Sequence, residues 1–247
     1  MQQSQATKLV ARKTQSADRT THNALRFAMP CIGCAAMKIF DWLRGTRPAS
    51  RLTILEPGTF TFEQGSEMPE RLTAAFGELS QLTALNLGAG WGESYMGRQT
   101  LSLPWKRLIS VEAFEPYIEK LAVQPCRAAS HEIVHSRIED YIADQSAPVA
   151  DVALLIDVIE HFSKPAALQI LARLGKVVSK GIVIFLPIGH FEQDEYDGNE
   201  MQRHLSEWSG EELAGLGYDT VVYPKFHGQV SPPPDAAWAI KRLAGSR

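Results

Sequence analysis

From Leu82 onward the chain alternates continuous apolar runs with segments of helical character, and that alternation restricts the folds open to it. The apolar runs read LTALNL, LISVEAF, HEIVH, VALLIDV and GIVIFLP. Between them lie a helix from Glu93, a helix over PYIEKLA and a long one over KPAALQILARLGKVVSK. Strands joined through helices run parallel, and a sheet covered on both faces reads as unbroken apolar strands. The fold class is therefore α/β, a doubly wound and mostly parallel sheet. The long helix is the best bounded, with Ser163 as N-cap, Pro165 in its first turn and Gly181 after its last. The end of the chain differs: YDTVVYPKF and AAWAIKRL are joined by a Pro-rich loop without a helix, which predicts an antiparallel hairpin at one sheet edge.

Ahead of Leu82, a helix is predicted to start near Pro69 and run through ERLTAAFGELS, and RLTILEPGTFTFEQG reads as two extended runs about a Pro-Gly turn. Ala36, Ile39, Phe40 and Leu43 fall at helical spacing, so an amphipathic helix is expected there. It would lid the pocket or pack at a subunit contact, as in a homodimer. Residues 1–22 are basic and rich in Ser, Thr and Gln, which reads as a flexible arm. The chain thus divides into an arm (1–22), an N-terminal cap (23–67) and a main domain (68–247).

Composition narrows the function classes. A net charge of −3 gives no general electrostatic reason to expect nucleic-acid binding. Three cysteines in 247 residues make no disulfide framework, so a reducing, cytoplasmic setting is expected. Cys31 and Cys34 have C-x-x-C spacing without a second pair, and in an apolar segment they read as small core residues. That segment, residues 25–43, contains Arg26, Pro30, Gly33, Lys38 and Asp41 and makes a poor membrane span.

The first parallel strand breaks into LGAGWGE. Gly88, Gly90 and Gly92 are spaced G-x-G-x-G, and the third glycine of a dinucleotide fingerprint would fall at Glu93. A carboxylate at a helix start repels a pyrophosphate, so a nucleoside without phosphates suits the turn better. Glu112 ends the next strand, where an acid can accept hydrogen bonds from ribose hydroxyls.

The sequence here resembles the class I S-adenosylmethionine-dependent methyltransferases. The likeness covers residues 68–242 and rests on LNLGAGWG, SVEAFEPYIEKL, ADVALLIDVIEHF, QRHLSEWSGEEL and the terminal hairpin. It implies a seven-stranded sheet, with Gly88, Ala89 and Gly90 behind the methionine of the cofactor and Glu112 on its ribose. Two positions depart from the family pattern. Asn86 stands where an acid is common, and Arg137 stands at the usual acidic place near the adenine, leaving the Ile138 backbone N–H as the contact there.

The group with most chemistry is IDVIEHF. Asp157 falls at the end of the fourth strand, a ligand-binding edge in open α/β sheets, and Glu160 and His161 follow at i+3 and i+4. These groups suit a base with an orienting acid, a hydrogen-bonded brace for the strand end, or a site for Mg²⁺ or another divalent metal. The last use resembles the ubiquinone-pathway O-methyltransferases and the small-RNA 2′-O-methyltransferases. The latter carry a later histidine in a context like HLSEW, here His204. His190, after the fifth strand, is a second candidate base, and EQDEYDGNE reads as a lid or a solvated loop. Three functions follow: a small-molecule methyltransferase acting on oxygen, with Asp157 also touching the cofactor; an RNA 2′-O-methyltransferase; and a non-catalytic relative.

Overall fold

The computed structural model describes residues 8–9, 50–57, 67–226 and 233–243. The predicted helix at 36–43, Cys31, Cys34, most of the arm and the second extended run before Glu67 lie outside the described residues. The strands are β1 (Lys8–Leu9), β2 (Leu52–Ile54), β3 (Thr83–Leu87), β4 (Arg107–Glu112), β5 (His131–His135), β6 (Ala150–Ile156), β7 (Val178–Ile188), β8 (Asp219–Tyr223) and β9 (Asp235–Arg242). The helices are α1 (Met68–Phe76), α2 (Tyr95–Ser102), α3 (Glu115–Ala122), α4 (Ile138–Ala143), α5 (Lys164–Val177) and α6 (Gly210–Gly215).

All nine strands form one sheet in the order β1-β5-β4-β3-β6-β7-β9-β8-β2. The seven expected strands occupy its centre. β9 runs antiparallel to both β7 and β8, which is the expected hairpin. The two additions are short: β1 pairs in parallel with β5, and β2, from the expected cap, pairs in parallel with β8. The chain winds outward from β3 through β4 to β5, then returns to β6 on the other side of β3. The loops after β3 and β6 therefore part, and a crevice opens between them at the carboxyl edge.

Burial explains the unbroken apolar strands. Alternate residues face opposite sides, and both sides are covered. Leu85, Leu87, Leu155 and Ile184 pack with Ile170 and Leu174 of α5 on one face. Ala84, Leu154, Val183 and Phe185 pack with Leu72 of α1, Met96 of α2 and Leu121 of α3 on the other.

Several local expectations need correcting. Gly181 does not end the long helix, which stops at Val177; it lies within β7. A Cβ there would meet the Phe76 ring at 2.4 Å and the Lys241 carbonyl at 2.6 Å, so this glycine serves close packing. α1 ends at Phe76 because Gly77 turns to a φ of 82°, and only a 3₁₀ turn follows at Leu79–Gln81. The helix expected from Glu93 begins at Tyr95, where the Ser94 hydroxyl accepts the Gly97 N–H at 3.0 Å. Among the described residues, no helix is long and apolar enough to cross a membrane.

Candidate functional site

The glycine turn closes the floor of the crevice. Gly88, Gly90 and Gly92 have φ of 63°, 61° and 78°, a region that costs a side-chain-bearing residue free energy. Gly88 is also tight, because a Cβ there would lie 2.9 Å from Val158. Glu112, 6% exposed, braces the turn from β4. Its Oε2 accepts the Gly90 N–H, and its Oε1 accepts the Ala113 and Phe114 N–H groups, each at 2.8 Å. A carboxylate offers about four lone-pair directions, so one remains for a ligand. Asn86 and Ala89 are buried behind the turn.

The crevice has a volume of about 390 Å³, and its lining includes Gly88, Glu112, Ile138, Asp157, Phe162 and His161. Five of the residues expected to act at the site, from four separate segments, thus converge: Gly88, Glu112, Ile138, Asp157 and His161. Asn86, Ala89 and Gly90 support the wall without lining it. Arg137 does reach the crevice, where it pairs with Glu139 at 3.3 Å.

Beyond β6 the chain turns sharply. Asp157 takes a φ of 52°, and its N–H donates to the Phe185 carbonyl at 2.8 Å. Ile159–His161 then form one 3₁₀ turn in place of a helix. Crowding by protein raises the Asp157 pKa to about 7. Its side chain nevertheless keeps solvent access through the crevice, and water entering there offsets part of that rise.

Glu160 is the anomaly. It is 2% exposed, and neither carboxylate oxygen has a hydrogen-bond partner among the described residues. The N–H groups of Val158 and Glu160 lie near enough to favour the charge slightly without bonding it. Burial and the Asp157 charge outweigh them and raise its pKa well above the usual carboxylate range. His161 and His204 face it, with one ligand atom from each of the three residues lying within 4.8 Å of the others.

Second contacts fix both imidazoles in one tautomer. His161 Nδ1 lies 3.2 Å from the Arg203 carbonyl, and His204 Nδ1 lies 2.7 Å from the Phe191 carbonyl. A carbonyl only accepts, so each Nδ1 carries the proton and each Nε2 presents a lone pair. Burial, with His204 nearby, lowers the His161 pKa to about 4, and burial lowers that of His204. Both rings are therefore neutral at pH 7. One buried carboxylate and two oriented imidazoles form a donor set for Mg²⁺, Mn²⁺ or Zn²⁺. The brace and acid/base readings of Glu160 are weaker, because an oxygen without a partner holds nothing in place. Asp157 stands outside this trio, at the neighbouring crevice wall.

The acidic segment after β7 lies over the glycine turn. Tyr196 stacks on Trp91 with centroids 6.1 Å apart, and Asp197 pairs with Lys120 of α3 at 3.7 Å. Trp91 packs in turn on Tyr117, whose phenol is pushed up to about 12 by burial and by the Asp197 and Glu112 charges. Asn199 and Gln202 of the same segment line the crevice, and His204 follows. Leu205 and Ser206 donate backbone N–H groups to the Glu160 carbonyl at 2.8 and 3.1 Å, which seats this segment beside the acid. Sequence reasoning missed Trp91, Lys120, Tyr196 and Asn199. The Asp-Gly pair at 197–198, with φ of 56° and 73°, was the one local signal of a tight turn there. His190 lies apart from the crevice and bonds to Glu207.

The sheet order, the glycine turn and the acid that ends β4 define a class: the chain has the fold of the S-adenosylmethionine-dependent methyltransferases. Three solved structures illustrate the likeness. The DhpI–SAH complex is 17% identical, with a TM-score of 0.53 over 75% of this chain and 89% of that one. The N-methyltransferase NodS from Bradyrhizobium japonicum WM9 is 13% identical, with a TM-score of 0.51 over 74% and 96%. The small RNA methyltransferase HEN1 is 15% identical, with a TM-score of 0.50; the match covers 78% of this chain and only 27% of that protein. No protein-family model and no curated protein matches the sequence.

Proposed function

We propose that the protein is an S-adenosylmethionine-dependent methyltransferase that methylates a hydroxyl oxygen of a small molecule, with a divalent cation held by Glu160, His161 and His204. The observation that carries the metal is Glu160, a buried acid without a partner that faces two imidazoles with free Nε2 lone pairs. A bound divalent ion would supply Lewis acidity that lowers the pKa of an acceptor hydroxyl.

The chain's own residues do the rest. The last lone pair of Glu112 accepts a ribose hydroxyl, Gly88 lets the main chain approach the methionine, and Ile138 with Phe162 bounds an apolar slot for adenine. Asp157, open to the crevice, takes the proton of the acceptor hydroxyl. The oxygen attacks the methyl carbon, a C–O bond forms, and the C–S electrons return to a now neutral sulfur. Holding these atoms in line is worth about 7–11 kcal/mol, more than a general base alone contributes.

HEN1 shares the fold, and the paired EH and later His resemble the small-RNA enzymes, so RNA is the second reading. Against it, the segment over the crevice presents exposed Glu192, Asp194, Glu195, Asp197 and Glu200, which repel a phosphodiester chain. Calorimetry with S-adenosylhomocysteine and electron paramagnetic resonance with Mn²⁺ test both ligands directly. Absence of cofactor binding would leave the non-catalytic reading standing. Turnover undiminished in EDTA would remove the metal.

A further inference from the structure

Beside the crevice lies a second cleft of about 560 Å³, walled by Lys164, His190, Phe191, His204, Leu205 and Glu207. We infer that this second cleft holds the methyl acceptor, and that the acceptor is an uncharged, hydroxyl-rich compound. The inference rests on the methyltransferase reading above and adds the acceptor's place and chemistry.

Place follows from the partition between the clefts. The crevice gathers the expected cofactor contacts Gly88, Glu112 and Ile138, and none of them lines the second cleft. An in-line displacement requires the nucleophile on the side of the methyl group away from sulfur. His161 lines the crevice, His204 lines the second cleft, and Leu205 lines both. The two imidazoles stand edge to face with centroids 4.9 Å apart, so the donor cluster stands where the two spaces meet. A hydroxyl of an acceptor seated in the second cleft passes the shared Leu205 into the crevice, where the methyl group and Asp157 lie.

Chemistry follows from what the second cleft offers. His190 Nδ1 lies 2.6 Å from Glu207 Oε1, so it donates there and leaves Nε2 available, with Glu192 3.6 Å away. The carboxylates accept hydrogen bonds from hydroxyl groups; Glu207 raises the His190 pKa, and the protonated ring donates from Nε2 to a hydroxyl oxygen. Phe191, packed on His204 at 5.3 Å, adds an apolar face for C–H groups. Among the described residues, a phosphate or carboxylate finds no free cation here. Lys164 Nζ, the one lysine here, is held by Glu212 at 3.0 Å and lies 3.8 Å over the Trp208 ring. Glu207 matches any charge on His190.

The test uses the full chain with Mn²⁺, labelled cofactor and two acceptor pools. One contains neutral polyols (methyl glycosides, inositol and glycerol); the other contains sugar phosphates and ribonucleotides. Methyl incorporation into the neutral pool is expected, at least about tenfold above the anionic pool. For the best neutral acceptor, His190→Ala and Glu207→Gln should each raise KM about tenfold, the loss of one hydrogen bond, with kcat, S-adenosylhomocysteine affinity and the Mn²⁺ signal unchanged. Glu192→Trp, at an exposed position, should obstruct the cleft and depress turnover in the same pattern. A protein that binds cofactor and Mn²⁺ yet prefers the anionic pool, methylates neither pool, or keeps its KM in all three variants overturns the acceptor assignment. Failure to bind S-adenosylhomocysteine overturns the methyltransferase reading itself.

Discussion

Glu112 and Glu160 are acids of equal length, both nearly sealed from solvent at the same edge of the sheet, and their surroundings are opposite. Glu112 accepts three backbone N–H groups; Glu160 accepts none among the described residues. Burying a charge is unfavourable unless hydrogen bonds or a counter-charge replace its water. Glu112 meets that condition within the fold and so belongs to the scaffold as well as the site. Glu160 leaves it unmet and holds a proton instead, unless the proposed cation is there to replace it. Burial alone, therefore, does not separate a structural acid from a functional one, whereas the inventory of partners does.

The sharpest way to break the contrast is to remove Glu160. Glu160→Ala should weaken Mn²⁺ binding by more than ~100-fold and abolish turnover, with S-adenosylhomocysteine affinity retained. Normal Mn²⁺ affinity in that variant would return Glu160 to the scaffold. The converse change, Glu112→Ala, leaves three N–H groups without an acceptor. It should lower unfolding stability by about 2–4 kcal/mol in urea titrations and weaken cofactor binding at least about tenfold.

A smaller effect has the opposite sign. The folded-state pKa of Glu160 is raised, so the native protein holds a proton that the unfolded chain releases. The two states match below the ordinary pKa of 4.5, and stability falls as pH rises above it. In EDTA, Glu160→Gln should melt higher than the native protein at pH 8, by about 2 kcal/mol, with the advantage fading towards pH 4.5. His161 acts in the other direction, gaining stability as pH rises from about 4 to 6.5, but it is common to both proteins and drops out of the comparison. Equal melting at pH 8 would mean that Glu160 is partnered after all.

At the glycine turn, Gly88→Ala should cost about 1–3 kcal/mol through its positive φ and the contact with Val158, and Val158→Ala should restore the packing part only. Lys120→Ala comes last. Its ion pair with Asp197 is half exposed on both sides, and its removal should change stability by under ~1 kcal/mol in the same titrations.

Much of this was legible because it is local. Strand runs, the C-terminal hairpin, Glu112 and the 157–161 cluster each declare themselves within a few residues. Non-local features did not. β2 is legible as an extended run before a Pro-Gly turn, but nothing local shows that it pairs in register with β8, Leu52 against Thr220. Gly181 sat where a helix cap belongs, and only the folded position of the Phe76 ring shows why no side chain fits there. α4, six residues long, is too short for a periodic pattern to stand out. That Glu160 lacks a partner is a property of its whole environment, and no residue spacing encodes it.

The segment after β7 ties these observations together mechanically. Tyr196 and Asp197 grip the glycine turn side, Asn199 and Gln202 wall the crevice, and His204 ends the same short run of chain. Because His204 ends the same run, lifting the segment from Trp91 would also carry that imidazole away from Glu160, so that one displacement would loosen two grips, like a latch whose bolt also carries the key.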